Sequence, residues 1–234
     1  MDRRYFLKGI GVGAVGLSPP LTLSSTKSCK VIGIGDAGCN FVLSASRSSL
    51  VFESSEMIPE FICINLGLDI LREVDVSNRN DPARSQIKAL SLCDRVSAAG
   101  RVNRGRAAAL QNCVALKAVL ANTDVVFLVA GLGGGTGSGV TPILASLARE
   151  SGALTVAAVV MPFEFEGEPR NQTAKTAISH LNHEADLVLR FSNQELMDIA
   201  GDDISQEDFF ASQNQRMAAS LRNLLNGTSD ATRA

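Results

Sequence analysis

Gly131-Leu132-Gly133-Gly134-Gly135-Thr136-Gly137-Ser138-Gly139 lies between an apolar run at 124–130 and an amphipathic stretch at 140–150. The run before it is short, β-branched and bounded by Asp and Gly, so it reads as a buried strand; the periodicity after it reads as a helix. Glycines at a strand–helix junction let successive backbone N–H groups form an anion-binding concavity, and the Thr136 and Ser138 hydroxyls add donors. No lysine follows them, so this is not the G-x-x-x-x-G-K-[ST] phosphate loop. A flexible linker would be an odd use of so many glycines between two apolar elements. Pro142 suits only a helix's first turn, which puts the expected helix start near Gly139.

Outward from this loop the pattern repeats. Strands are expected at 30–34, 60–64, 124–130, 154–161 and 186–191, several of them continuously apolar, as in parallel strands covered on both faces. Helices are expected at 40–50, 105–121, 140–150, 172–184 and 205–225. The alternation predicts a doubly wound α/β fold with a mainly parallel sheet, whose ligands sit beyond the carboxyl ends of the strands. A second glycine loop, Gly33-Ile34-Gly35-Asp36-Ala37-Gly38-Cys39-Asn40, closes the first strand and opens a helix, where free N–H groups and the positive dipole end suit a phosphate. It resembles a dinucleotide fingerprint, yet the second strand runs into Asn65-Leu66-Gly67 without the expected acid, which demotes NAD.

Composition narrows the function classes. The 234 residues carry 22 basic and 24 acidic side chains, a net charge of −2, which gives no general attraction to nucleic acid or anionic lipid. Trp is absent and Tyr5 is the single tyrosine, so aromatic nucleic-acid platforms are not expected. Five scattered cysteines without C-x-x-C spacing argue against a zinc site and a disulfide framework, and favour a reducing compartment. His180 and His183 form no catalytic set, and no metal ligand is assigned. Residues 1–28 read apart from the rest: Arg3-Arg4-Tyr5-Phe6-Leu7-Lys8, a glycine-rich apolar run at 9–17, then Ser18-Pro19-Pro20. The pattern is that of a twin-arginine-like export signal without an A-x-A cleavage end, or of an N-terminal extension.

The sequence resembles the FtsZ/tubulin family over about residues 29–226. The resemblance rests on Gly133-Gly134-Gly135-Thr136-Gly137-Ser138-Gly139, on Lys30-Val31-Ile32-Gly33-Ile34-Gly35 with Gly38-Cys39-Asn40, on Glu60-Phe61-Ile62-Cys63-Ile64-Asn65, and on Pro162-Phe163-Glu164-Phe165-Glu166-Gly167, in that family's order. It implies a Rossmann-like GTP-binding domain. Gly35, Asp36, Ala37, Gly38, Cys39 and Asn40 would line the α/β-phosphates, and Gly133, Gly134, Gly135, Thr136 and Gly137 the β/γ-phosphates. Glu166 would contact the ribose with Arg170 near the nucleotide, and Asn193 and Asp208 would read guanine. An acceptor carboxylate takes both N–H groups of a guanine edge, which adenine does not offer in that arrangement.

Departures from the family pattern shape the expected activity. Asn65-Leu66-Gly67 stands where the family has N-T-D, and Gly100-Arg101-Val102-Asn103-Arg104-Gly105-Arg106 keeps only part of a glycine-rich loop. Arg95, Arg101, Arg104 and Arg106 make a positive cluster that either replaces metal charge or is a solvated loop. The chain stops in the family's central helix, with 227–234 as a tail, so the second domain is expected to be absent. The expectation is an FtsZ-like guanine-nucleotide-binding protein related to a cell-division GTPase, with GTP or GDP as ligand and Mg²⁺ left open. Hydrolysis would need a carboxylate from a partner subunit; the alternatives are a non-hydrolysing protein that caps FtsZ filaments and a dinucleotide-dependent enzyme. Partners are expected to be further copies or full-length FtsZ-like subunits, with no nucleic acid and with membrane contact through the leader as an option. The expected location is the cytoplasm, with export as the alternative. Phe210, Met217, Leu221 and Leu224 form an apolar stripe expected to lose part of its cover.

Overall fold

The structure is a computed structural model that describes residues 28–47, 59–81, 87–93, 98–201 and 203–230. The leader before Ser28, Arg95 and the last four residues lie outside the described residues. Among the described residues six strands form one sheet: β1 (Cys29–Ile34), β2 (Glu60–Asn65), β3 (Lys88–Ser91), β4 (Val125–Gly131), β5 (Leu154–Met161) and β6 (Leu187–Ser192). Their order is β3-β2-β1-β4-β5-β6 and every adjacent pair is parallel. The helices are α1 (Gly35–Arg47), α2 (Asp69–Asn80), α3 (Val102–Gln111), α4 (Cys113–Leu120), α5 (Gly135–Glu150), α6 (Glu168–Glu184), α7 (Asn193–Ala200) and α8 (Gln206–Asp230).

Strand alternation sorts the core into two layers. On one face Val31, Phe61, Phe127 and Val156 pack with Phe41 and Val42 of α1, Val74 of α2 and Met217 and Leu221 of α8. On the other Ile32, Ile62, Leu128 and Ala157 pack with Leu116 of α4, Leu144 of α5 and Leu181 of α6. Both faces are covered, so the doubly wound α/β expectation holds. Lys30 is buried on β1; its ammonium donates to the carbonyls of Val119 (2.7 Å) and Ala121 (2.9 Å), ending α4, and pairs with Glu60 at 3.8 Å.

Several expected boundaries moved. Helices α1 and α5 begin at Gly35 and Gly135, because part of each glycine loop is itself the first helical turn. Pro142 therefore sits inside α5 and not in its first turn. A proline there removes one helical bond, to the Ser138 carbonyl; the helix holds because it is buried along its length between the sheet, α3 and α6. The single helix expected over 105–121 is two, broken at Asn112, whose amide donates to Leu92 O at 3.0 Å and Ala108 O at 2.9 Å. Strand β3 and helices α2 and α7 were not expected; β3 has only four residues, two of them exposed. The apolar stripe of α8 is covered by the sheet: Met217, Leu221 and Leu224 are buried, and only Phe210 is exposed.

Candidate functional site

A cavity of about 850 Å³ opens beyond the carboxyl ends of β1, β4 and β5. The chain crosses from one sheet half to the other between β1 and β4, the switch point where such sheets leave a crevice. Two long helices point their N-termini into it. Gly35, Asp36, Ala37 and Asn40 of α1 line one wall, and Gly134, Gly135, Thr136 and Gly137 at the start of α5 line the next, with Ala98, Ala99 and Gly100 beside them. Gly35 has φ +73°, a conformation that favours glycine and turns β1 directly into α1.

Many glycines here serve the protein's own backbone. A Cβ on Gly137 would strike the Gly131 carbonyl, and one on Gly38 would strike that of Val129. A Cβ on Gly105 of α3 would strike the Gly135 carbonyl, and one on Gly135 would lie 2.7 Å from Ala98 Cβ and 2.8 Å from Arg101 N. These contacts let α3 cross α5 at close range. Gly134 differs: its φ is −93° and nothing lies within 4 Å of a Cβ built there. The Ser138 hydroxyl is buried and accepts from Gly133 N at 2.9 Å, so it braces the loop and does not line the cavity.

The opposite end is made of side chains. Asn193 begins α7, whose cap is Ser192 accepting from Glu195 N at 3.1 Å. Gln206, Phe210, Gln213, Asn214 and Met217 of α8 face the same space, and their spacing is that of one helical face. Gln213 is 2% exposed; its amide N–H donates to Asn193 Oδ1 at 3.3 Å, while its Oε1 has no partner. An unsatisfied buried carbonyl costs about 1–3 kcal/mol. Between the two ends Glu166 and Arg170 form an ion pair, and the other Glu166 oxygen accepts from Phe163 N at 2.9 Å. Phe163 stacks on Phe165 at 4.8 Å between ring centroids and touches Phe209 at 5.3 Å. Phe163, Phe165 and Phe210 all reach the cavity.

Of the residues singled out in the sequence, Gly35, Asp36, Ala37, Asn40, Gly134, Gly135, Thr136, Gly137, Glu166, Arg170 and Asn193 are brought together. Gly38, Cys39, Gly133 and Asp208 are not among the lining residues. Cys39 is buried beneath the loop with its thiol toward Gly33 O and Ile64 O; its hydrogen bond with Cys63 and its burial push it far above the ordinary thiol range. Burial alone raises Cys29 to about 12. Asp208 is exposed and closes the start of α8: its N–H donates to Ser205 Oγ at 3.1 Å, and that hydroxyl donates to its Oδ2 at 2.7 Å. Arg101, Arg104 and Arg106 are exposed and outside the cavity lining. The sequence reasoning missed Phe163, Phe165, Gln206, Phe210, Gln213 and Asn214; the helical spacing of the last four was the available signal.

Asp36 is the exception to the loop's neutral character. Its Oδ1 accepts from Asn65 Nδ2 at 2.7 Å, which ties the end of β2 to the start of α1. Among the described residues, no group of three or more His, Cys, Asp and Glu gathers in metal-ligating range, and no helix is long and apolar enough to cross a membrane.

These features define a doubly wound α/β domain with a glycine-walled cavity at its topological switch. The chain belongs to the Tubulin/FtsZ family: residues 28–201 match that family's GTPase domain. It is 33% identical over 205 residues to the cell division protein FtsZ of Buchnera aphidicola subsp. Schizaphis graminum, covering 88% of this chain and 50% of the relative. It is 35% identical over 195 residues to that of Pseudomonas putida, covering 83% and 46%. An empty FtsZ dimer from M. jannaschii is similar in structure, with a TM-score of 0.69 at 25% identity, covering 87% of this chain and 55% of that one. The chain thus spans about half the length of the curated relatives it matches.

Proposed function

We propose that the cavity binds GTP or GDP. The observation that carries this reading is the convergence of two helix N-termini, at Gly35 and Gly135, on one space that also has an aromatic and amide-lined end. Free N–H groups and dipole ends favour a phosphate chain there. Phe163, Phe165 and Phe210 offer ring faces for a base, and the Glu166–Arg170 pair stands between the two ends. Family membership adds weight, since the matched region is the GTPase domain.

Hydrolysis is proposed to depend on a second subunit. Both oxygens of Glu166 are engaged and Asp36 has one oxygen on Asn65, so a water-activating carboxylate is best supplied from outside. Self-association, or association with FtsZ-like subunits, is proposed on the same ground. Mg²⁺ is customarily held by one or two carboxylates together with phosphate oxygens, and Asp36 is the carboxylate on the glycine-loop wall that fits this role. Five free cysteines, three of them buried, support a reducing location, which we propose to be the cytoplasm.

Thermal melting tests the binding. At a hundred times its dissociation constant a ligand adds about 2.7 kcal/mol of stability, a rise in Tm of about 5–10 °C for this size. Unchanged melting of the folded chain in millimolar GTP and GDP removes the reading.

A further inference from the structure

We infer that the far end of the cavity reads its base through neutral amides and therefore discriminates weakly between purines. This rests on the nucleotide reading above and refines its substrate class. Four side chains there carry amides, Asn193, Gln206, Gln213 and Asn214, and the carboxylate expected from the sequence, Asp208, is outside the lining and closes the start of its own helix. Among the described residues two carboxylates line the cavity: Asp36 belongs to the glycine wall and Glu166 is spent on Arg170 and Phe163 N.

Gln213 is the buried amide of this group. It is 2% exposed, lines the cavity and leaves Oε1 without a partner, while its N–H donates to Asn193 Oδ1 at 3.3 Å. Its Oε1 is shielded as the side chain stands, and a turn of the amide toward the cavity brings this unpartnered acceptor to a ligand's N–H. Guanine brings N1–H and the 2-amino group, hypoxanthine brings N1–H, and adenine brings its 6-amino group. A carboxylate would take both N–H groups of guanine and face the bare N1 lone pair of adenine. One amide oxygen takes a single N–H from any of the three, and a turned amide presents its donor to guanine O6 or adenine N1. Phe163, Phe165 and Phe210 add surface that every purine ring fills equally. What the amide end selects is a flat bicycle with at least one N–H, and the neutral acceptor removes the charge that would set guanine apart.

Competition binding with GDP, IDP, ADP and CDP on the full chain tests this, and the wild-type ratios need no variant. The expectation is that the three purine nucleotides bind within about tenfold of one another, since a single neutral hydrogen bond separates them, and that CDP binds more weakly. Gln213→Glu is expected to raise the GDP-to-ADP preference by about tenfold or more; Asn214→Asp, at a half-buried neighbour on the same face, is expected to shift it in the same direction. A wild-type preference for GDP over ADP above about a hundredfold overturns the inference while leaving nucleotide binding intact. So does an unchanged ratio in both folded variants. Failure of all four nucleotides to bind overturns the nucleotide reading and this one with it.

Discussion

One end of the cavity is written in backbone and the other in side chains. At the glycine end, Gly134, Gly135 and Gly137 offer backbone N–H groups, and Gly135 and Gly137 also let α3, α5 and β4 approach within backbone contact. At the amide end, Asn193 comes from α7 and Gln206, Gln213 and Asn214 from α8, so recognition depends on which helical face meets the space. The difference teaches that a backbone site is coupled to the fold and a side-chain site is separable from it. Substitutions at the packed glycines of the first, Gly135 and Gly137, should alter stability together with binding. Those at the second should alter selectivity alone.

The largest expected effect breaks the glycine end through its packing. A Cβ on Gly105 meets the Gly135 carbonyl, a backbone atom that cannot swing aside. Overpacking of this kind costs about 1–3 kcal/mol or more, so Gly105→Ala should lower Tm by roughly 2–12 °C. Gly105 is outside the cavity lining, so a melt unchanged by this substitution would show that α3 and α5 are not held as closely as the structure has them.

Gly134→Ala sharpens the comparison, because it separates binding from fold within one loop. The backbone there suits any residue and a Cβ meets nothing within 4 Å, so the melting curve should not move. The added methyl occupies the cavity wall where a phosphate would approach, and GDP affinity should fall by about tenfold, 1.4 kcal/mol. Calorimetric titration beside a melt reads both. A loss of stability without a loss of affinity would reverse the assignment of Gly134 and Gly105.

Legibility in the sequence follows the same division. The glycine end could be read because its residues are contiguous and their type has few other uses at a strand–helix junction; the parallel sheet followed from continuously apolar strands. Two errors there were of boundary, since glycines of the loops at Gly35 and Gly135 already form helical turns. Cys39 and Asn40 part for a related reason: inside a helical turn, neighbours point to different sides, and the Cys39 thiol faces the core while Asn40 lines the cavity. The amide end was legible only in part. Asn193 came from the family resemblance, and it lines the cavity; the α8 contribution depends on helical phase, and phase is fixed by where the helix starts.

Asp208 shows that dependence and supplies the smallest expected effect. It lies five residues before Gln213, which is about 140° around a helix at 100° per residue, so the two cannot share a face. Ser205 reads as the N-cap once the helix is known to begin at Gln206: its hydroxyl accepts from the Asp208 N–H, and the carboxylate holds the hydroxyl. Cap contacts are worth about 0.5–2 kcal/mol. Asp208→Ala should keep the serine cap and lose only the carboxylate's share, lowering Tm by about 1–3 °C. Its GDP affinity and its GDP-to-ADP ratio should equal those of the unsubstituted chain, whereas Gln213→Glu should change the ratio. If Asp208→Ala instead abolishes guanine preference at constant Tm, the carboxylate reaches the base, and α8 turns its other face to the cavity when nucleotide binds.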